Sequence, residues 1–483
     1  MATGNTATDG RSPSSAGSAG AILFLGEVSE GAVEAPSDRL EWSMGQAPVL
    51  ATPSARGGEG MSGGRPRVAF FDYPDVFEDF YPHYGVDQEA FATRWVGSGN
   101  HALLSLLQRE VGDVVWYAFS LAPEFEEARH EVVGCRVRML PSSWLHRRLW
   151  RAFYLPRMAW RWRGAYPVFA TAASYAALAS WRFVRTLRRD RPDVIFVQDY
   201  ATGRYDTLLV IARALGVPLI AYHSGSRPEQ YTGRVAKRWT IPGADRLIVS
   251  SREELQMLAL RFRVAPERLA LILTPIDTAG FRPRDRIEAC RATGLDPARR
   301  YLLFVGRLDD RVKRVSALIR SFGALARERA QADLVVVGEG PDGAMLRRHA
   351  EVHAPGRVRF VGWVAGTERL AAFYNAAECL VLPSVREGFP TVVGEAMACG
   401  APVLASRVGG VGELVIEGET GWLLPPGDDD ALGAGLSFVL AHPEAVASMR
   451  PRARCLAEER VSPAIVAAEL RKCFAEVMGD RDG

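Results

Sequence analysis

Residues 379 to 400 read CLVLPSVREGFPTVVGEAMACG: an apolar run, a polar loop holding Glu387, Gly388 and Pro390, then a helix-forming stretch that carries Glu395. The run Cys379 to Leu382 suits a buried strand, and Pro390 suits the first turn of a helix. The loop then lies at the carboxyl edge of a sheet, where open α/β folds bind ligands. Amides near Thr391 and Val392 lack partners within such a helix, so its N-terminus forms an anion site. Two carboxylates beside a phosphate would repel it, which sets Glu387 and Glu395 against the hydroxyl-rich parts of a ligand, one on a sugar and the other on a ribose. Glutamates at this spacing are common by chance. Held between Gly388 and Gly400 in a strand, loop and helix, the pair is specific.

The same unit recurs on both sides. After Pro283, the runs Tyr301 to Val305, Leu334 to Val337, Val358 to Val361 and Pro402 to Ala405 each precede a helix-like segment, as parallel βαβ units require. Before it, Val68 to Phe71, Val114 to Phe119, Val194 to Val197, Pro218 to Tyr222 and Arg246 to Val249 read alike, with a helical stretch near His101 to Glu110. Two doubly wound α/β domains with parallel sheets are expected, and 483 residues are too many for one ordinary core. Residues 65–285 and 286–460 form the expected domains, with the junction near 283–298, where Arg, Pro and Asp dominate. Residues 461–483 are set apart as a helix, apolar on one face, that can pack back on the first domain. Residues 1–64, rich in Gly, Ser, Ala, Thr and Pro, are expected to be a disordered tail. Met61 is the expected native start; an intact mass that includes residues 1–60 would rule this out.

Three more strand ends in the second half carry polar or glycine-rich loops. Gly306-Arg307-Leu308 follows Phe304-Val305, and Lys313-Arg314 comes next. A planar guanidinium and a compact ammonium suit a diphosphate, while a solvated basic loop is the plainer reading. Only Lys237, Lys313 and Lys472 are lysines among 59 basic residues, which turns the balance toward function at Lys313. Gly338-Glu339-Gly340-Pro341 either shapes a nucleotide pocket or is turn chemistry alone, with Pro341 at a first helical position. Phe360-Val361-Gly362-Trp363 offers main-chain groups that can read a base edge, and Trp363 either lines that pocket or fills the core. In the first half, His223 follows the apolar run Leu219 to Tyr222 and precedes Ser224-Gly225. It reads as a strand-end residue facing the cleft or as a turn residue.

On these motifs the sequence resembles the retaining glycosyltransferases of family 4, over about residues 185 to 430 and thinly before them. The resemblance implies the GT-B fold: two Rossmann-like doubly wound domains facing a cleft. It implies transfer from a nucleotide-diphosphate-sugar donor with net retention, and neither a metal nor another cofactor. Arg307 and Lys313 would bind the diphosphate, Glu387 the transferred sugar and Glu395 the ribose. Gly388, Phe389 and Thr391 would supply main-chain contacts, with Gly306, Gly338, Val392 and Trp363 completing the donor site. His223 matches the family's cleft histidine and, with Glu387, is expected to be catalytic. Two departures stand out. Leu273-Thr274-Pro275-Ile276-Asp277 replaces the usual Pro-Asn-Gly before Val-Asp, and an insertion with Phe77, Phe80, Tyr81, His83 and Tyr84 replaces the glycine-rich loop after the first strand. Gly97-Ser98-Gly99 would be that loop's displaced counterpart, and the acceptor is left unread. The alternatives are a non-catalytic nucleotide-sugar-binding protein and a sugar-nucleotide epimerase or phosphorylase on the same architecture.

Composition narrows the partners. A net charge of +3 gives no general case for nucleic-acid binding, and six scattered cysteines without a CxxC pair argue against a zinc site and for a reducing cytoplasm. No long apolar run predicts a membrane span, and no secretory leader is evident. Residues 144–189 interleave Trp144, Trp150, Trp160, Trp162 and Trp181 with ten arginines, and Asp190 is the acidic residue at their edge. Indoles and guanidinium groups suit an anionic membrane surface at which a lipid-linked or cell-envelope acceptor would be met. An amphipathic helix pair packed on the first domain is the plainer alternative.

Overall fold

The computed structural model describes residues 64–479 except 97–98, 154–165, 224, 226–233, 328 and 330. Met61 and the tail before Gly64, Gly97-Ser98, Ser224, and the stretch with Arg157, Trp160, Arg161, Trp162 and Arg163 lie outside the described residues, as do the side chains of His83 and Tyr84.

Two parallel sheets organise the chain. The first has eight strands in the order β3-β4-β2-β1-β5-β6-β7-β8, parallel throughout except between β3 and β4. These are β1 (Arg67–Phe71), β2 (Asp113–Ser120), β3 (Glu127–Arg129), β4 (Arg136–Pro141), β5 (Val194–Gln198), β6 (Leu219–His223), β7 (Arg246–Val249) and β8 (Leu269–Leu271). The second has six, all parallel, in the order β11-β10-β9-β12-β13-β14. Its strands are β9 (Arg300–Val305), β10 (Ala332–Val337), β11 (Val358–Gly362), β12 (Cys379–Leu382), β13 (Val403–Ser406) and β14 (Gly421–Leu424). In each sheet the order reverses beside its first strand, β1 or β9, which opens a crevice beyond the strand ends. The strands β3, β4, β8 and β14 were not expected. β4 is broken in pattern by Arg136 and Arg138, and the others are too short to show a period.

The C-terminal helix Pro463–Gly479 belongs to the first core. Val466, Leu470, Phe474 and Val477 are buried with Val68, Phe70 and Phe196, and the Phe196 and Phe474 rings stack at 5.9 Å. Burying each of these side chains stabilises by about 1.5–3 kcal/mol.

The chain leaves the first core at Ile272, enters the second at Leu273, and returns at Ser462 after the helix Pro443–Val461. Ile276 donates its backbone N–H to the Val461 carbonyl at 2.8 Å, so the two crossings run side by side. The first crossing precedes the 283–298 junction expected from composition. That polar stretch is a capped helix, Arg286–Thr293, in which the Asp285 carboxylate accepts the Glu288 N–H at 2.9 Å and Ala289 and Cys290 lie in the second core. Its Glu288 and Arg291 face outward and imitate a linker. Among the described residues no helix is long and apolar enough to cross a membrane.

Candidate active site

Three loops interlock at the carboxyl edge of the second sheet. Gly306 N–H donates to Val337 O (3.0 Å), Leu308 N–H to Glu339 O (2.9 Å) and Gly338 N–H to Gly362 O (2.8 Å). Gly338 has φ +130°, and a side-chain carbon there would overlap the Gly306 carbonyl, so only glycine lets the two strand ends approach. Pro341 is not a first helical residue; it sits in a turn before the helix Gly343–His353. Trp363 is 68% exposed, which overturns its reading as a core aromatic; its backbone N–H reaches Glu339 Oε1 at 3.3 Å. Arg307 is exposed at the same edge.

The short helix Asp310–Lys313 carries Lys313 toward the loop after β12. Lys313 Nζ meets Glu387 Oε1 at 2.6 Å, and Val385 N–H donates to Val312 O at 2.9 Å, so a side-chain and a main-chain bond join the two segments. Pro390 precedes the helix Thr391–Ala398 and cannot cap it with a side chain, and no side-chain cap bond is made there among the described residues. The Thr391 and Val392 end of this helix therefore presents a positive dipole and uncapped amides beside Lys313 and Glu387. Glu395, one turn on, accepts the Tyr374 hydroxyl at 2.8 Å. Burial lifts the Glu395 carboxyl above its ordinary 4.5, against hydrogen bonds from Tyr374 and Thr391 that hold it down. Tyr374 was not singled out from sequence, where one tyrosine in an apolar helix carries no signal.

Across the cleft, His223 ends β6 and is buried. Two residues on, Gly225 has φ +131°, and a side-chain carbon there would overlap Gly388 Cα. The two domains thus touch where the histidine strand meets the Glu387 loop. Gly388 O accepts Gly410 N–H at 2.6 Å, Phe389 is buried in the second core, and Glu413 accepts the Arg252 N–H at 2.8 Å from the first domain. His223 Nδ1 is hydrogen-bonded to Glu254, and Nε2 lies 3.8 Å from Asp199 Oδ1. Burial lowers the His223 pKa, but Glu254 and Asp199 together outweigh it and leave the imidazole above its ordinary 6.5. A turn residue it is not.

The remaining singled-out residues lie elsewhere. Phe77 and Tyr81 of the insertion after β1 are buried against Phe91, and Tyr81 donates to Asp72; they form core, not an open pocket. Lys237 is buried too, donating to Asp206 Oδ1 at 2.7 Å and to the carbonyls of Tyr200 and Thr202. In the basic aromatic stretch, the helix Trp181–Asp190 buries Phe183 and Leu187 in the first domain. Its Trp181 and the Trp144 of a neighbouring helix, Trp144–Phe153, are 65% and 62% exposed, with Arg188 over one ring and Arg148 over the other. Asp190 is internal, accepting the Tyr117 hydroxyl at 2.6 Å and an Arg138 Nη2 N–H at 2.9 Å.

The chain matches sequence models described as Glycosyltransferase Family 4 over residues 97–279 and Glycosyl transferases group 1 over residues 299–442. It is 37% identical to D-inositol 3-phosphate glycosyltransferase 2 of Catenulispora acidiphila over 246 residues, 46% of this chain and 57% of that one. With the D-inositol 3-phosphate glycosyltransferase of Rhodococcus opacus it shares 33% identity over 238 residues, 47% of this chain and 53% of the relative. The chain thus spans only about half the length of these curated relatives. Among solved structures, sucrose-phosphate synthase from Thermosynechococcus elongatus superposes with a TM-score of 0.63 at 23% identity, covering 86% of this chain and all (100%) of that one. HepE of Anabaena in complex with UDP-glucose gives 0.61 at 17% identity, covering 85% of this chain and 100% of the other. Both likenesses are of fold.

Proposed function

The chain belongs to the family 4 glycosyltransferases of the two-domain GT-B fold, and on that premise we propose that it moves a sugar from a nucleotide-diphosphate-sugar to an acceptor hydroxyl with net retention. The observation that carries this reading is the Lys313–Glu387 pair beside the uncapped N-terminus of the helix Thr391–Ala398. An ammonium has three donors. With one on Glu387, Lys313 keeps others for the diphosphate, while Arg307 and the Thr391 and Val392 amides add positive charge. Glu387 is thereby turned to the transferred sugar and Glu395 to the ribose. As the leaving diphosphate gains charge, these fixed donors stabilise it without reorganising, the term that dominates such electrostatic catalysis. His223 hydrogen-bonds the sugar near the reacting carbon. Front-face attack, with the departing phosphate taking the acceptor's proton, gives retention without a dedicated protein base, and the reading uses no metal.

The acceptor in this reading is a lipid-linked or cell-envelope glycan met at the inner membrane surface. Support comes from exposed Trp144 and Trp181 beside Arg147, Arg148, Arg185 and Arg188, with an open groove of about 620 Å³ between Trp144 and Arg182. HepE of Anabaena is described with UDP and UDP-glucose, which makes uridine donors the first to test. A panel of nucleotide-sugars, with detection of released nucleoside diphosphate and of glycosylated product, tests the proposal. Binding without release on any donor would leave a non-catalytic binding protein, and release of an epimerised donor would mark an epimerase.

A further inference from the structure

We infer that Glu254 is a positioning residue for His223, fixing the imidazole through Nδ1 and holding it as a cation in which Nε2 also carries a proton. This rests on the reading of His223 as a contact to the donor sugar. The local sequence points elsewhere: Ser251-Arg252-Glu253-Glu254 has the form of a capping box, whose glutamate turns back to the backbone N–H of the capping serine. Half of that box is built, since Ser251 Oγ accepts the Glu254 N–H at 3.2 Å at the start of the helix Arg252–Arg261. The other half is diverted. Glu254 Oε1 takes hydrogen bonds from His223 Nδ1 and from the Tyr200 hydroxyl, two residues that follow or end neighbouring strands of the first sheet. The His223 side chain is 3% exposed and that of Glu254 11%, so water screens the pair little.

The surroundings favour charge. Tyr200 lays its ring against the imidazole with centroids 4.5 Å apart. Asp199, in a left-handed conformation at φ +74°, takes the Ala201 N–H at 2.6 Å and sets its Oδ1 3.8 Å from His223 Nε2. Among the described residues, Glu254 from the helix after β7 and Asp199 and Tyr200 from the segment after β5 face the histidine. A neutral histidine that donates through Nδ1 has only an acceptor at Nε2. With a carboxylate on each side the second proton is retained, and both nitrogens donate, which is what a contact to a sugar oxygen requires.

Glu254→Gln removes the charge and keeps an acceptor of the same shape for His223 and Tyr200. The protein has eight histidines, so NMR of histidine-labelled full-length chain can follow His223, its signal identified by loss in His223→Asn. In the wild type His223 should titrate above 6.5, and transfer should fall as pH rises through that raised pKa. In Glu254→Gln both the titration and the alkaline limb of kcat should move down by about 1–3 pH units, with kcat recovering at lower pH. A uniform fall at every pH, or an unmoved limb, overturns the inference. So does a wild-type His223 that titrates at or below 6.5, a measurement needing neither variant nor turnover. A chain that turns over no donor would refute the proposed function while the NMR titration still judged the pair.

Discussion

Lys313 Nζ lies 2.6 Å from Glu387 Oε1, with the two side chains only 18% and 9% exposed, and the bond spans 74 residues of sequence. Each charge therefore depends on the other. Lys313→Ala should cost between the ~0–1 kcal/mol of a surface pair and the ~3–5 kcal/mol of breaking a buried one, because Glu387 is left uncompensated. The chain should stay folded in a thermal melt and release no nucleoside diphosphate from its donor. Near-normal turnover would remove Lys313 from the site.

Glu395 yields opposite effects on activity and stability. Its carboxyl is raised above 4.5, so its contribution to stability is full below that pH and is lost as pH rises through the raised value. Glu395→Gln should thus melt higher than the wild type near neutral pH and bind donor more weakly. Wild-type donor affinity should fall as acidification protonates Glu395, with a midpoint above the ordinary glutamate value. Calorimetric titration against pH checks the second statement; a Glu395→Gln variant that binds donor like the wild type contradicts the ribose role.

At the domain contact, Gly225→Ala would force a side-chain carbon into Gly388 Cα at a φ of +131°. The cleft should then fail to close, lowering kcat by ten-fold or more, about 1.4 kcal/mol or more in the barrier. Domain melting should change little, since Gly225 lies in neither core. Steady-state kinetics alongside melting separates this from simple unfolding.

Trp144 and Trp181 with their arginines should bind anionic vesicles at low salt, and the binding should weaken as salt screens the charges. Trp144→Ala with Trp181→Ala should lower co-sedimentation while donor hydrolysis continues. Absence of binding to anionic vesicles at low salt ends the membrane reading.

Legibility in the sequence followed periodicity and broke down where a residue's role depends on distant partners. The apolar runs of β1, β2, β5, β9, β10, β12 and β13 declared themselves, because strands buried on both faces need no alternation. β4 did not, since Arg138 is buried through its pairing with Asp190, 52 residues away, and with Glu127. Rarity of lysine pointed at Lys313 but equally at Lys237, a buried ion pair with Asp206 inside the first domain. Lys237→Ala should accordingly cost about 3–5 kcal/mol, more than Lys313→Ala, and lower the melting temperature more sharply. Glu254 and Tyr374 were invisible for the same reason as Arg138: a capping-box glutamate and a helix tyrosine acquire their roles only from His223 and Glu395.

The last helix, Pro463–Gly479, packs Phe474 onto Phe196 of the first sheet. The amino-terminal domain is therefore not finished by amino-terminal sequence. During synthesis its sheet emerges first yet waits, with Val68, Phe70 and Phe196 partly uncovered, until the whole second domain has left the ribosome and the helix Pro463–Gly479 can swing back across Ser462. Truncation after Val461, which removes Val466, Leu470, Phe474 and Val477, should leave that apolar face bare and behave as an aggregation defect of the opposite domain.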